Sequence, residues 1–208
     1  MSAGRFDNDY YFVHEVPHDE RLPYLTPDED TSRKPYTSKR LPMHTKPLIF
    51  HNGSLDYQKA NRITPYDPPP EILFSGSDVV VKDKLRDKLL PLEIPNLAIQ
   101  PAIYIDHKNN WHEDYWYLTF TELFDCWDRE RSYYDPDPVD FDDVKLYEVY
   151  TYSLDEKVLE ETPLESRRLF KMGSTTEGPV VVHVSIASWF GLSGAVLVPI
   201  AEYGVSFP

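Results

Sequence analysis

The sequence predicts an α+β protein with a mostly antiparallel or mixed sheet, a few short helices and a proline-rich extended N-terminal arm. Three observations carry that expectation. Strand-sized apolar or alternating runs recur after residue 70, the clearest helical stripe is only Val81, Leu85 and Leu89, and ten of the nineteen prolines lie in residues 1–70. Hydrophobic residues make up 41% of the 208-residue chain, enough to build a core.

Pro17, Pro23, Pro27, Pro35, Pro42 and Pro47 recur every few residues. Proline fixes φ and lacks a donor, so neither a long helix nor a central strand is expected to run through this region. Residues 1–70 therefore read as an extended arm packed on the core, with short strands at Tyr10–Val13 and Leu48–Phe50. Residues 71–208 read as the α+β domain. Glu71–Ser75 is a short strand before a turn at Gly76. The i, i+4, i+8 stripe of Val81, Leu85 and Leu89, with charged residues between, predicts a helix stopped by Pro91.

Leu97–Ile105 predicts a strand, which Pro101 assigns to an edge, and Asp106–Asn110 a turn. Tyr115–Thr121 alternates most strongly and is bulky on both faces, which predicts a strand covered on both sides. Glu122–Ser132 reads as a short helical or irregular element, Asp135–Asp143 as a proline–aspartate loop, and Leu146–Tyr152 as strand-like. Leu154–Glu161 suggests a short acidic helix. The C-terminal unit reads as a buried strand at Pro179–Val184, a short helix capped by Ser185 and stopped near Gly191, and a final strand at Ala195–Ile200.

The net charge of −14 is concentrated in one stretch. Residues 113–165 carry 17 acids against 4 bases. Such a segment repels phosphates, so a nucleic-acid partner is not expected. It is suited to steering a basic protein partner, and equally to serving as a solvated face. The N-terminus lacks a basic start and apolar core, no apolar run approaches membrane-spanning length, and Cys126 is the single cysteine. No membrane partner is expected, and these features fit the cytoplasm.

Few residues suggest chemistry. P-loop, G-x-S-x-G and H-E-x-x-H patterns are all missing, so no catalytic residue, cofactor or metal ligand is assigned. Cys126, between Phe124 and Trp127, reads as a core residue. Asp135, Asp137, Asp140, Asp142 and Asp143 are closely spaced, but prolines at 136 and 138 and the lack of glycine depart from a calcium loop. With Tyr133 and Tyr134 they form the candidate partner-binding set, since tyrosine supplies contact area at low entropic cost. A metal-dependent hydrolase using the same carboxylates and a scaffold without catalysis remain the alternative readings.

The segment from about residue 70 to 200 resembles a family of bacterial polymorphic-toxin immunity proteins first described as a domain of unknown function. Three stretches carry the resemblance. They are Lys82-Asp83-Lys84-Leu85-Arg86-Asp87 followed by Ile99-Gln100-Pro101-Ala102; Tyr115-Trp116-Tyr117-Leu118 followed by the segment Phe124 to Ser132; and the closing Gly191-Leu192-Ser193-Gly194 turn. The resemblance implies a non-catalytic role: stoichiometric binding of a cognate toxin encoded by an adjacent gene, in a contact-dependent or type VI secretion setting. Asp125, Asp128 and Ser132 are expected to act as turn and cap residues.

Overall fold

The computed structural model describes residues 4–141 and 144–204. The chain is α+β, with antiparallel and mixed sheets and a few short helices. Its strands are β1 (Tyr10–Glu15), β2 (Leu25–Pro27), β3 (Leu48–Asn52), β4 (Ile72–Ser75), β5 (Asp78–Lys82), β6 (Leu97–Ile105) and β7 (Trp111–Phe120). They continue with β8 (Tyr133–Tyr134), β9 (Val139–Phe141), β10 (Val144–Leu146), β11 (Val149–Thr151), β12 (Leu169–Lys171), β13 (Val180–His183) and β14 (Ala195–Pro199). The helices are α1 (Glu29–Ser32), α2 (Leu55–Ala60), α3 (Asp83–Leu89), α4 (Glu156–Glu161), α5 (Leu164–Arg167) and α6 (Val184–Ala187).

Two compact units divide the chain. One comprises residues up to His14, Glu122–Ser188 and the residues from Leu197 on; the other comprises Glu15–Thr121 and Trp189–Val196. Residues 1–70, read from their prolines as an arm, contribute to both. They supply β1, β2, β3 and two short helices, and the prolines bound these strands. Pro27 ends β2 and Pro47 precedes β3, positions where a missing donor costs little.

The second unit is a six-stranded barrel in the order β2-β3-β6-β7-β5-β4. All neighbouring pairs are antiparallel except β3 with β6. The sheet curls until its ends meet: Tyr24 bridges Phe74, and the Ser75 hydroxyl donates to the Leu25 carbonyl at 3.2 Å. Every strand sends side chains into one cluster, including Leu25, Phe50, Leu73, Val80, Tyr104 and Tyr117. These contacts draw the two end strands, β2 and β4, together.

The helix expected from Val81 begins two residues later. Val79, Val80 and Val81 are fully buried and belong to β5, between β4 and β7, because three β-branched residues in a row suit a strand covered on both faces. Leu85 and Leu89 are the buried stripe of α3, and Asp83 at its start accepts from Trp116 Nε1 at 2.6 Å. Pro91 falls in a 3-10 turn after the helix. The Ser193–Gly194 turn clamps the start of β4. Ile72 N–H donates to the Ser193 carbonyl and Glu71 N–H to the Ser193 hydroxyl, both at 3.0 Å.

The first unit holds a four-stranded sheet in the order β12-β13-β1-β14. β13 lies between β12 and β1, antiparallel to each, and Val180, Val181 and Val182 are fully buried. The helix after it is shorter than expected. His183, not Ser185, caps it, its Nδ1 accepting from Ser185 N–H at 3.1 Å, and α6 ends at Ala187. α4 is the expected acidic helix, capped by Asp155, whose carboxylate accepts from Val158 N–H.

Candidate functional site

Trp127 is the root of the candidate site. It is 1% exposed and meets Tyr134, Tyr147 and Tyr152 edge to face. Its own segment, expected as helical or irregular, is irregular and held from both sides. Phe124 bridges Met172 and Trp127 bridges Leu154. Arg129 stacks 3.9 Å from the Trp127 ring centroid and grips the Asp125 carboxylate with two bonds of 2.6 and 2.7 Å.

Asp128 organises the next turn, accepting from the backbone N–H groups of Glu130 and Arg131 and from Arg131 Nε at 2.8 Å. Burial works to raise its pKa, but the Arg131 guanidinium and the two backbone donors outweigh it and hold the carboxyl below its usual range. Arg131 continues to Glu156 and to the Leu154 carbonyl. Ser132 exchanges hydrogen bonds with the Ser153 backbone. Asp125, Asp128 and Ser132 are thus structural, and they fix the point from which the next segment departs.

That segment is a two-part β-ribbon. β8 pairs with β11, and Asp135 N–H donates to the Glu148 carbonyl at 2.9 Å. Beyond a proline–aspartate step, β9 pairs with β10. The stretch expected to be a loop over 135–143 therefore contains a strand, Val139–Phe141. The two halves form separate two-stranded sheets, and Tyr147 between them bridges Thr175.

The register sorts the side chains. Phe141 lies opposite Val144 and Val139 opposite Leu146, which places all four on one face; Asp140 opposes Lys145 on the other. Phe141 is 63% exposed, Val139 59% and Val144 49%. Tyr133 is also exposed and contacts Tyr150, with ring centroids 5.3 Å apart. Partial desolvation, together with the carboxylates of Glu148 and Asp135, raises the Tyr150 phenol above its usual pKa and keeps it neutral. An apolar strip thus lies within an acidic segment.

The predicted partner-binding residues take different places. Tyr133, Asp137 and Asp140 are exposed on the ribbon. Asp135 is half-buried and accepts from Asp137 N–H at 3.0 Å, bracing the proline step. Tyr134 points inward, against Trp127 and Tyr147, as an anchor. Asp142 and Asp143 lie outside the described residues. Sequence reasoning missed Val139, Phe141 and Val144; their signal was the alternation Val-Asp-Phe, then Val-Lys-Leu, overshadowed by the neighbouring prolines.

Cys126 is fully buried, with its sulfur 3.8 Å from that of Met172, and burial pushes its thiol well above the ordinary value. Among the described residues, no three His, Cys, Asp or Glu side chains converge to hold a metal ion. No helix among them is long and apolar enough to cross a membrane. No family model and no curated protein matches the chain.

Proposed function

We propose that this chain is a cytoplasmic bacterial immunity protein that neutralises a cognate toxin by stoichiometric binding, without catalysis, and that the ribbon at 133–151 is the surface it presents. The observation that carries the reading is the exposed strip of Val139, Phe141 and Val144, with Tyr133 exposed on the other half of the ribbon, within an acidic segment. Interfaces commonly join an aromatic centre to a charged rim. The resemblance of residues 70–200 to immunity proteins supports the same role.

The acidic segment favours a basic partner. Nuclease toxins must hold phosphate and tend to be basic, and a partner of that kind would be steered to the ribbon. Occlusion then follows from the ribbon lying over the toxin's cleft or its substrate path.

Co-expression with the product of the adjacent gene tests the role. Growth arrest by that product alone, relieved by this chain in a stoichiometric co-purifying complex, is the expected result. A harmless neighbour, or one that kills regardless, would overturn the proposal.

A further inference from the structure

A second feature lies in the barrel unit. Residues 31–47 hold five bases and no acids, in a chain of net charge −14. Part of this segment, Arg40–Lys46, lies beside the start of β3 and the middle of β6 and borders an open pocket of about 610 Å³. That volume is in the range of small-molecule sites. Leu41 and Ile99 give it an apolar lining, with Leu48 buried behind them in the barrel core. Arg40 and Lys46 complete the wall, and neither makes an ion pair among the described residues. Met43, also in the wall, is 98% exposed.

We propose that this pocket binds a small amphiphilic anion: a carboxylate or phosphate head held by Arg40 and Lys46, with an aliphatic or aromatic body against Leu41 and Ile99. The guanidinium fork suits either head group, and burying the apolar body supplies the remaining affinity. Met43, flexible and polarisable, can fold over such a body.

The pocket's shape follows from the register. β3 pairs with β6 only from Ala102 onward, so Leu97–Pro101 has β7 on one side and the basic loop on the other. An extended peptide could in principle pair there as an added strand. Pro101 lacks one donor for that ladder, and the Gln100 side chain ties the basic loop along this stretch. Gln100 Oε1 accepts from Leu41 N–H at 2.9 Å, and its Nε2 donates to the Tyr36 carbonyl and the Thr119 hydroxyl. The two cations beside the apolar wall match a small anion.

Methyl-labelled methionine gives a direct readout. The chain has three methionines, Met1, Met43 and Met172, and Met172 is fully buried in the other unit. Octanoate, octyl phosphate and octanol are titrated into the full chain at moderate salt, following the methyl signals by NMR. The Met43 signal is expected to shift saturably with the two anions, with octanol at least about tenfold weaker. In the double variant R40E/K46E the anions should bind at least about tenfold more weakly, while unchanged amide signals of β5 and β7 report an intact barrel unit. Equal shifts with octanol, an unmoved Met43, or wild-type binding by the double variant would overturn the proposal. So would displacement of octanoate by a peptide copy of residues 133–141, which would make the pocket a peptide site.

Discussion

Phe141 stands directly opposite Val144 in the β9–β10 pair, and both side chains are largely exposed. Little of the native core depends on them, so they can be removed cheaply. Phe141→Ala is expected to leave unfolding stability within about 0.5 kcal/mol. If the ribbon is the toxin-binding surface, the same change should weaken the complex by on the order of 2 kcal/mol, roughly 30-fold in Kd, mainly through faster dissociation. Surface-immobilised binding kinetics separate these outcomes. An unchanged dissociation rate would remove Phe141 from the interface.

Asp140 and Lys145 oppose each other on the other face of the same ladder. Asp140→Lys replaces an attractive pair with two like charges, at a cost of about 0.2–1 kcal/mol to the ribbon. Its larger expected effect is on association. Reversing Asp140, Asp142 and Asp143 together should slow association with a basic toxin and flatten its salt dependence. Stopped-flow mixing over a salt series measures both. Unaltered association would assign the acidic segment to solvation alone.

The parts of the fold legible in the sequence were those with local periodicity. Leu97–Ile105 matches β6 in full, and the Tyr115–Phe120 alternation lies within β7. Barrel closure was hidden because it rests on Tyr24 meeting Phe74, a pairing no short window contains. Pro101 carries an edge signal, yet sits in a strand flanked on both sides. The signal was physically sound, because β3 begins pairing with β6 one residue later, at Ala102. At the candidate site, acid and tyrosine content point to the segment that forms the ribbon. Composition could not show that Tyr134 faces Trp127 while Phe141 faces solvent; that depends on register.

Gly194 is the most constrained glycine of the barrel unit. Its φ is +95°, and a Cβ there would lie 2.1 Å from the Ile72 carbonyl oxygen. Neither the backbone angle nor the clash can be relieved by rotating a side chain. Gly194→Ala is expected to cost about 2–4 kcal/mol, through strain and loss of the clamp on β4. Urea denaturation would show it as a lower midpoint with an unchanged slope. A midpoint equal to wild type would mean that this turn opens without consequence.

Two carboxyls of the barrel unit should give its stability opposite dependences on pH. Asp106 is 5% exposed. Burial raises its pKa, but the His112 ring, the Asn110 side chain and the backbone N–H groups of Asn110 and Lys108 prevail and hold it well below the usual carboxylate range. Its stabilisation is present above the ordinary carboxylate pKa and is lost as pH falls toward the depressed folded value. Glu15 has the reverse sign. Burial first, and the Asp19 charge second, raise it to about 6, so the folded state holds its proton more tightly than the unfolded chain. Stability therefore declines as pH rises from the ordinary value of 4.5 through about 6. Glu15→Gln should remove that decline, gaining on the order of 1 kcal/mol at pH 7.5 relative to pH 4.5 after allowance for solvent screening. Asp106→Asn should lose stability at neutral pH and flatten the acid limb. Urea midpoints of both variants and wild type between pH 3 and 8 measure these slopes. A Glu15→Gln difference that is constant across the range would show that the Glu15 proton is not linked to folding.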